Sequence, residues 1–294
     1  MKSSAEAVTN LLAGERICIV DVGAADGLAK RWGSIAGCLH VVAFEPDSRS
    51  DATHDSAIGA EVTVVPQAAS SEKGVGTIYL TRKPRCSSLY EPNMDIVHRY
   101  PDSERYDVLQ TSQVDCTTID IVMQEMSIDM DFLKIDTQGA ELDCLRGAQE
   151  SLHNCLGIEV EVEFQQLYTG ASVFRDIDAY IARYEFELFD LRRTFFPRLV
   201  LEGIDQVKGQ IIFGDALYFR HWPSLGKSDQ LLKLATLMLT YGYADVVLEI
   251  IKNSQVLGHR DRQLLLELTQ HLTPVSAGGA DRKDRFMGSG LQLR

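Results

Sequence analysis

The chain has 294 residues, with 42 acidic against 29 basic side chains and a formal net charge of −13. That balance argues against nucleic acid as a partner, since phosphate is gripped by clustered Lys and Arg, and it favours small-molecule or carbohydrate work. No apolar run nears the roughly 20 residues a membrane helix needs, and Met1–Glu6 lacks the apolar core of a signal peptide. Six scattered cysteines without a CxxC pair read as reduced thiols, so a cytoplasmic protein is expected.

In chain order, a helix is predicted over 5–14, a buried strand over 17–22, a helix from about 27, and strands over 40–45 and 61–65. A further edge segment covers Gly76–Thr81. Residues 82–112 are polar, carry aromatics and contain Pro84, Pro92 and Pro101, so they read as a long loop of the kind that serves function or is disordered. A helix follows over 118–127, a strand over 131–136, and a helix over about 139–152 with Leu142, Leu145 and Ala148 at helical spacing. Then come a strand over 156–164, a helix over about 172–184, and strands over 186–192 and 210–220 that form an antiparallel hairpin near the sheet edge. Strand alternating with helix predicts an α/β fold, a doubly wound, mostly parallel sheet with helices on both faces. Residues 228–252 switch to the pattern of two amphipathic helices, with a third over about 260–272. The expected division is a sheet domain over 1–222, a helical appendage over 223–273 that packs on it or forms a homodimer interface, and a disordered tail over 274–294.

The strand Ile17–Val22 runs into the turn Asp21-Val22-Gly23-Ala24-Ala25-Asp26-Gly27. Gly23 permits a tight turn with close backbone approach. A helix starting near Gly27 would present free N–H groups and its positive dipole end to a carboxylate. Asp21 and Asp26 can attract an ammonium. Glu45, 24 residues after Asp21 and followed by Pro46, suits an acid at the second strand tip that accepts from both ribose hydroxyls. Acids repel a dinucleotide's pyrophosphate, and the G-x-G-x-x-G fingerprint lacks its middle glycine. They suit S-adenosylmethionine (SAM), which carries a sulfonium, an ammonium and one carboxylate. The rivals are a nicotinamide dinucleotide, which would make the chain an oxidoreductase, and a structural turn without ligand. The expected cofactor residues are Asp21, Gly23, Ala24, Ala25, Asp26, Gly27, Glu45, Pro46 and Asp136, with backbone near Ala68 and Ala69 for adenine.

Further along stands Phe132-Leu133-Lys134-Ile135-Asp136-Thr137-Gln138-Gly139-Ala140-Glu141, then Cys144-Leu145-Arg146-Gly147-Ala148. With Ser87–Asn93 and Ile158–Phe164, these residues resemble the FkbM family of SAM-dependent methyltransferases over about residues 17–220. The resemblance implies the Rossmann-like class I methyltransferase sheet and O-methylation of sugar, glycan or polyketide-type hydroxyls. The substrate within that range stays open.

Ligands of open α/β sheets bind at the carboxyl ends of strands. Asp136 ends the fourth main strand and is expected to position cofactor or substrate, or to act as base. Glu159, Glu161 and Glu163 share one face of the next strand by their period of two. Three buried unpaired carboxylates would be prohibitive. Glu159 is therefore expected to pair with Lys134, while Glu161 and Glu163 emerge into the substrate cleft. Asp136 and Glu161 are the candidate catalytic residues. Mg²⁺ on Asp136, Glu161 and Glu163 is conceivable from their chemistry but is not favoured, because no compact ligand spacing appears. A SAM-binding module that recruits a partner through its helical tail remains the alternative to a methyltransferase.

Overall fold

The computed structural model describes residues 4–24, 27, 29–46, 59–199 and 208–272. Ten strands and eight α-helices follow in chain order: α1 (Ser4–Leu11), β1 (Ile17–Val22), β2 (Leu39–Phe44), β3 (Glu61–Val65), β4 (Ala68–Ala69), β5 (Gly74–Thr81), α2 (Met94–Val97), β6 (Val108–Thr117), α3 (Ile119–Met126), β7 (Phe132–Ile135), α4 (Glu141–Arg146), β8 (Gly157–Glu163), α5 (Phe174–Ile181), β9 (Phe186–Phe196), β10 (Gln210–Arg220), α6 (Ser228–Tyr241), α7 (Ala244–Asn253) and α8 (His259–His271). Seven strands make one sheet in the order β3-β2-β1-β7-β8-β10-β9. The first five of these run parallel and β10 is antiparallel to both neighbours, which bears out the mostly parallel sheet with a terminal hairpin.

Alternation along the strands divides the core in two. Ile17, Ile19, Val41, Phe132 and Phe219 face α1 and α6–α8. Val20, Val42, Leu133, Ile158 and Val160 face α3, α4 and α5. Parallel strands covered on both faces read as near-continuous apolar runs, as Ile17–Val22 and Leu39–Phe44 do. The C-terminal helices complete the first face: α6 buries Leu231, Leu234, Leu237 and Met238 in the same cluster as β1 and β2. At about 25 cal/mol per Å² of apolar surface removed from water, that shared core is substantial. Among the described residues no helix is long and apolar enough to cross a membrane. All six cysteines are buried free thiols. The tail 274–294 lies outside the described residues.

Three expectations change. The glycine turn does not feed an α-helix; the described chain before β2 forms two short 3₁₀ turns, Lys30–Ser34 and Ala36–Cys38. The helix expected over 139–152 stops at Arg146, and Gly147 beyond it packs so closely that a Cβ there would lie 2.1 Å from the Ser70 carbonyl oxygen. The stretch 82–112 is not one long loop. Its end begins β6, which pairs antiparallel with β5 and parallel with β4 in a separate three-stranded sheet. Most of β6 is exposed, with only Cys116 and Thr117 buried, so no apolar alternation announces it.

Candidate active site

The tips of β1, β2, β7 and β8 open on a cavity of about 650 Å³. Gly23, Glu45, Pro46, Ala68, Ala69, Asp136 and Glu161 all line it. The opposite wall comes from the segment after β5, including Lys83, Arg85, Ser87, Ser88 and Leu89, and from Arg105 and Tyr106. Gly23 takes φ +82°, and a Cβ there would sit 2.1 Å from the Asp136 carbonyl oxygen. The turn thus has both the positive φ and the contact that only glycine tolerates. Asp136 N–H donates to the Val22 carbonyl at 2.9 Å, locking the two strand tips together.

The expected cofactor acids separate. Asp21 is fully buried and does not reach the cavity, because Lys134 Nζ donates to its Oδ1 at 2.8 Å. This replaces the expected Lys134–Glu159 pair. Lys134 stands in register with both acids, Asp21 on β1 and Glu159 on β8. Glu159 is held instead by Arg31 at 2.6 Å, by Arg192 at 3.3 Å and by the Tyr241 hydroxyl. Arg192 also supplies Asp215 with its partner, at 2.9 Å. Ala24 packs into the core at 1% exposure and is no lining residue. The Gly23 and Ala24 amides both donate to the Phe44 carbonyl, so they are not free for a carboxylate. Gly27 closes the turn onto the Ala24 carbonyl and does not line the cavity. Ala25 and Asp26 lie outside the described residues.

Asp136 and Glu161 come together through a residue of the Phe132–Glu141 motif to which the sequence assigns no role. Gln138 Nε2 donates to Asp136 Oδ1 at 2.8 Å and to Glu161 Oε1 at 2.7 Å. Its own carbonyl accepts from the Tyr168 hydroxyl at 3.1 Å, and that hydroxyl also reaches the Cys86 carbonyl. Gln138 holds this pose at φ +59°, a left-handed conformation uncommon outside glycine. The turn is fixed from below by Glu141, which is buried and accepts from Thr137 N–H, Thr137 Oγ1 and Gly139 N–H. The motif is visible in sequence; the bridging geometry depends on Tyr168, 30 residues on.

Burial, then the Asp136 charge, pushes the Glu161 carboxyl well above the usual range. Among the described residues no Lys, Arg or His forms an ion pair with it. Glu163 does not emerge into the cleft; it is buried and accepts from the Leu167 N–H at 3.1 Å. Among the described residues no three His, Cys, Asp or Glu are grouped to hold a metal; Asp136 and Glu161 share an amide instead. His98 is exposed, and His221 sits at 3.0 Å from Glu187, both away from the lining. Within the Ser87–Asn93 stretch, Ser87 and Ser88 line the cavity, whereas Tyr90 donates to Asp143 at 2.6 Å.

The sequence matches the methyltransferase FkbM domain over residues 21–188, more than half of the chain. The protein belongs to the FkbM methyltransferase family. Solved structures similar to this FkbM chain include magnesium protoporphyrin IX methyltransferase (ChlM) from Synechocystis PCC 6803 with bound SAM, at 9% identity and TM-score 0.34, covering 74% of this chain and 77% of that one. Another is Sp1610 of Streptococcus pneumoniae, a candidate tRNA (m1A22) methyltransferase, at 10% identity and TM-score 0.34, covering 92% of this chain and 97% of that one. No curated protein matches the chain in sequence.

Proposed function

We propose that this FkbM protein is a SAM-dependent O-methyltransferase acting on a hydroxylated small molecule or glycan. One observation carries the reading: Gly23, Glu45, Asp136 and Glu161, distant in sequence, line one cavity at the carboxyl ends of adjacent strands. The lining suits the cofactor. Glu45 at the β2 tip offers a carboxylate to two ribose hydroxyls, Ala68 and Ala69 offer small apolar surface to adenine, and Asp136 offers negative charge to a cation. A pyrophosphate would meet Glu45, Asp136 and Glu161 at the strand tips, with the turn amides of Gly23 and Ala24 already engaged.

When bound, SAM supplies an electrophilic methyl group on a cationic sulfur. The protein's own residues would do the rest. Glu161 Oε2, which accepts no hydrogen bond from the described residues, takes the acceptor hydroxyl proton. Gln138 holds Asp136 and Glu161 at fixed separation and occupies Oε1 of Glu161, so the proton arrives on the other oxygen. Ser87–Leu89 close the cavity's far wall and reduce its water. Orientation of acceptor and donor within one cavity is worth about 7–11 kcal/mol at best.

Calorimetry with SAM, S-adenosylhomocysteine and NAD tests the reading first. SAM and S-adenosylhomocysteine should bind and NAD should not; tight NAD binding without SAM binding would overturn it. Release of S-adenosylhomocysteine in the presence of hydroxylated acceptors then separates a transferase from a SAM-binding module, and absence of turnover with every acceptor tried would favour the module.

A further inference from the structure

The acidic strand tips face a wall of opposite sign. Lys83, Arg85 and Arg105 line the cavity in a chain whose net charge is −13. Two of them are neighbours by construction, because the Lys83 N–H donates to the Arg105 carbonyl at 3.1 Å. Arg105 is held rigidly, with its guanidinium stacked 4.9 Å from the Tyr106 ring centre and 5.0 Å from that of Phe196. Its bonding is nevertheless incomplete. It reaches the Tyr106 hydroxyl at 3.3 Å and a loose, solvent-exposed Asp102 at 3.7 Å, a kind of pair worth little. Its Nε is buried and makes no hydrogen bond, although a guanidinium carries five N–H donors. Lys83 has no ion-pair partner among the described residues.

Position tells which ligand these cations face. Phe196 ends β9, and Tyr106 stacks 5.9 Å from Tyr168, whose hydroxyl reaches Gln138 beside Glu161. Arg105 therefore belongs to the β8–β10–β9 end of the cavity. Glu45 stands at the β2 tip, three strands from β8 and four from β10. At roughly 4.8 Å per strand, these ends are separated by about 14–19 Å. The ribose-binding acid and the paired cations serve different ends of the cavity, and the cations share theirs with the candidate base.

Building on the proposed methyl transfer, we infer that the acceptor carries an oxyanion, a carboxylate or a phosphate, which docks between Lys83 and Arg105 while its hydroxyl meets Glu161. An Arg fork fixed over aromatic rings suits such a group by paired N–H bonds, and the acidic Glu45 tip repels it from the far end of the cavity.

Calorimetry on the full chain saturated with S-adenosylhomocysteine tests this with four probes: glucose, glucuronate, glucose 6-phosphate and inorganic phosphate. At least one charged sugar should bind tenfold or more tighter than glucose, and inorganic phosphate should compete with it. Preference for glucuronate identifies the carboxylate, preference for glucose 6-phosphate the phosphate. Lys83→Ala, at an exposed position that does not threaten folding, should weaken the charged sugar at least fivefold and leave S-adenosylhomocysteine affinity within twofold; Arg105→Gln should do the same. Charged sugars that bind no better than glucose, or not at all, overturn the inference. Variants that lose S-adenosylhomocysteine affinity overturn it too, by assigning the cations to the cofactor's carboxylate. Failure of the wild-type chain to bind S-adenosylhomocysteine would strike the methyltransferase reading instead, with the charged-against-neutral comparison still scored on the unliganded chain.

Discussion

Glu159 and Glu161 leave the same face of β8 two residues apart, and their surroundings could hardly be less alike. Glu159 touches Arg31 from the turn before β2, Arg192 from β9 and Tyr241 at the end of α6. It ties three distant segments together beneath the C-terminal helices. Among the described residues Glu161 receives one neutral amide and no cation, and faces a second carboxylate, Asp136, across that amide. A buried acid surrounded by cations is most simply structural. A buried acid denied them, on a cavity wall, has its proton affinity raised and is available for proton transfer.

The largest test of this contrast is Glu161→Gln. It keeps the shape and removes the base, so turnover should fall by about 10²–10⁴-fold while S-adenosylhomocysteine affinity holds and the melting temperature does not fall, because the variant buries no carboxylate there. The pH profile sharpens it. Burial raises the Glu161 carboxyl above its ordinary value, and a base works ionised, so kcat/KM should climb with pH through that raised value. The climb should vanish in the variant. Unchanged turnover would move the base elsewhere. Glu159→Ala should act in the opposite register. It leaves Arg31, 19% exposed in its side chain, without its main acid, and should cost about 3–5 kcal/mol in urea unfolding, the range for breaking a buried pair. Turnover per folded molecule should hold; a selective loss of activity would break the comparison. Smaller again is Glu45→Ala, which removes one charged acceptor at the β2 tip. A loss of about 1.5–3 kcal/mol for a hydrogen bond to a charged group corresponds to roughly 10- to 100-fold in SAM affinity by calorimetry. Affinity unaltered by that change would mean the ribose lies elsewhere.

The sheet was legible because each main strand is an apolar run or ends in a recognisable turn. The Gly23 turn and the gathering of Glu45, Asp136 and Glu161 on one cavity were legible because each stands at a strand end, whereas Asp21, also at a strand end, is buried away from it. What escaped were choices between equivalent neighbours. Lys134 lies between Asp21 and Glu159 in register, and local sequence cannot say which it takes. The decision comes from Arg31, Arg192 and Tyr241, which gather around Glu159 only in the folded chain. Of the β5–β6 ribbon, β5 was legible as the segment Gly76–Thr81, whereas β6 escaped because its exposed strand has no buried face to impose a period. The basic run Arg82-Lys83-Pro84-Arg85 was in plain sight, but its meaning depends on where it lands. Arg82 pairs with Asp107 at 3.1 Å, while Lys83 and Arg85 line the cavity.

Glu163 sharpens the comparison from the other side, with the smallest effect and a stabilising one. It is buried beyond Glu161 on the same strand, and its carboxyl is pushed well above the usual range by desolvation and then by Glu141. Against that stands the backbone N–H of Leu167, which donates to it. An acid whose folded value is raised costs nothing while protonated in both states. It contributes a penalty once the unfolded chain ionises and the folded chain resists, so the wild-type chain loses stability as pH rises through the unfolded and then the folded value. The Glu163→Gln amide would keep a carbonyl to accept from Leu167 and carry no charge to bury. The unfolding free energies of wild type and variant should therefore differ by a constant below the ordinary Glu range and diverge above it, with the variant gaining as pH rises. Curves that stay parallel throughout, or a variant that loses ground as pH rises, would mean that the Glu163 carboxylate is solvated or paired in solution, and that burial without a cation does not by itself set the Glu161 environment apart.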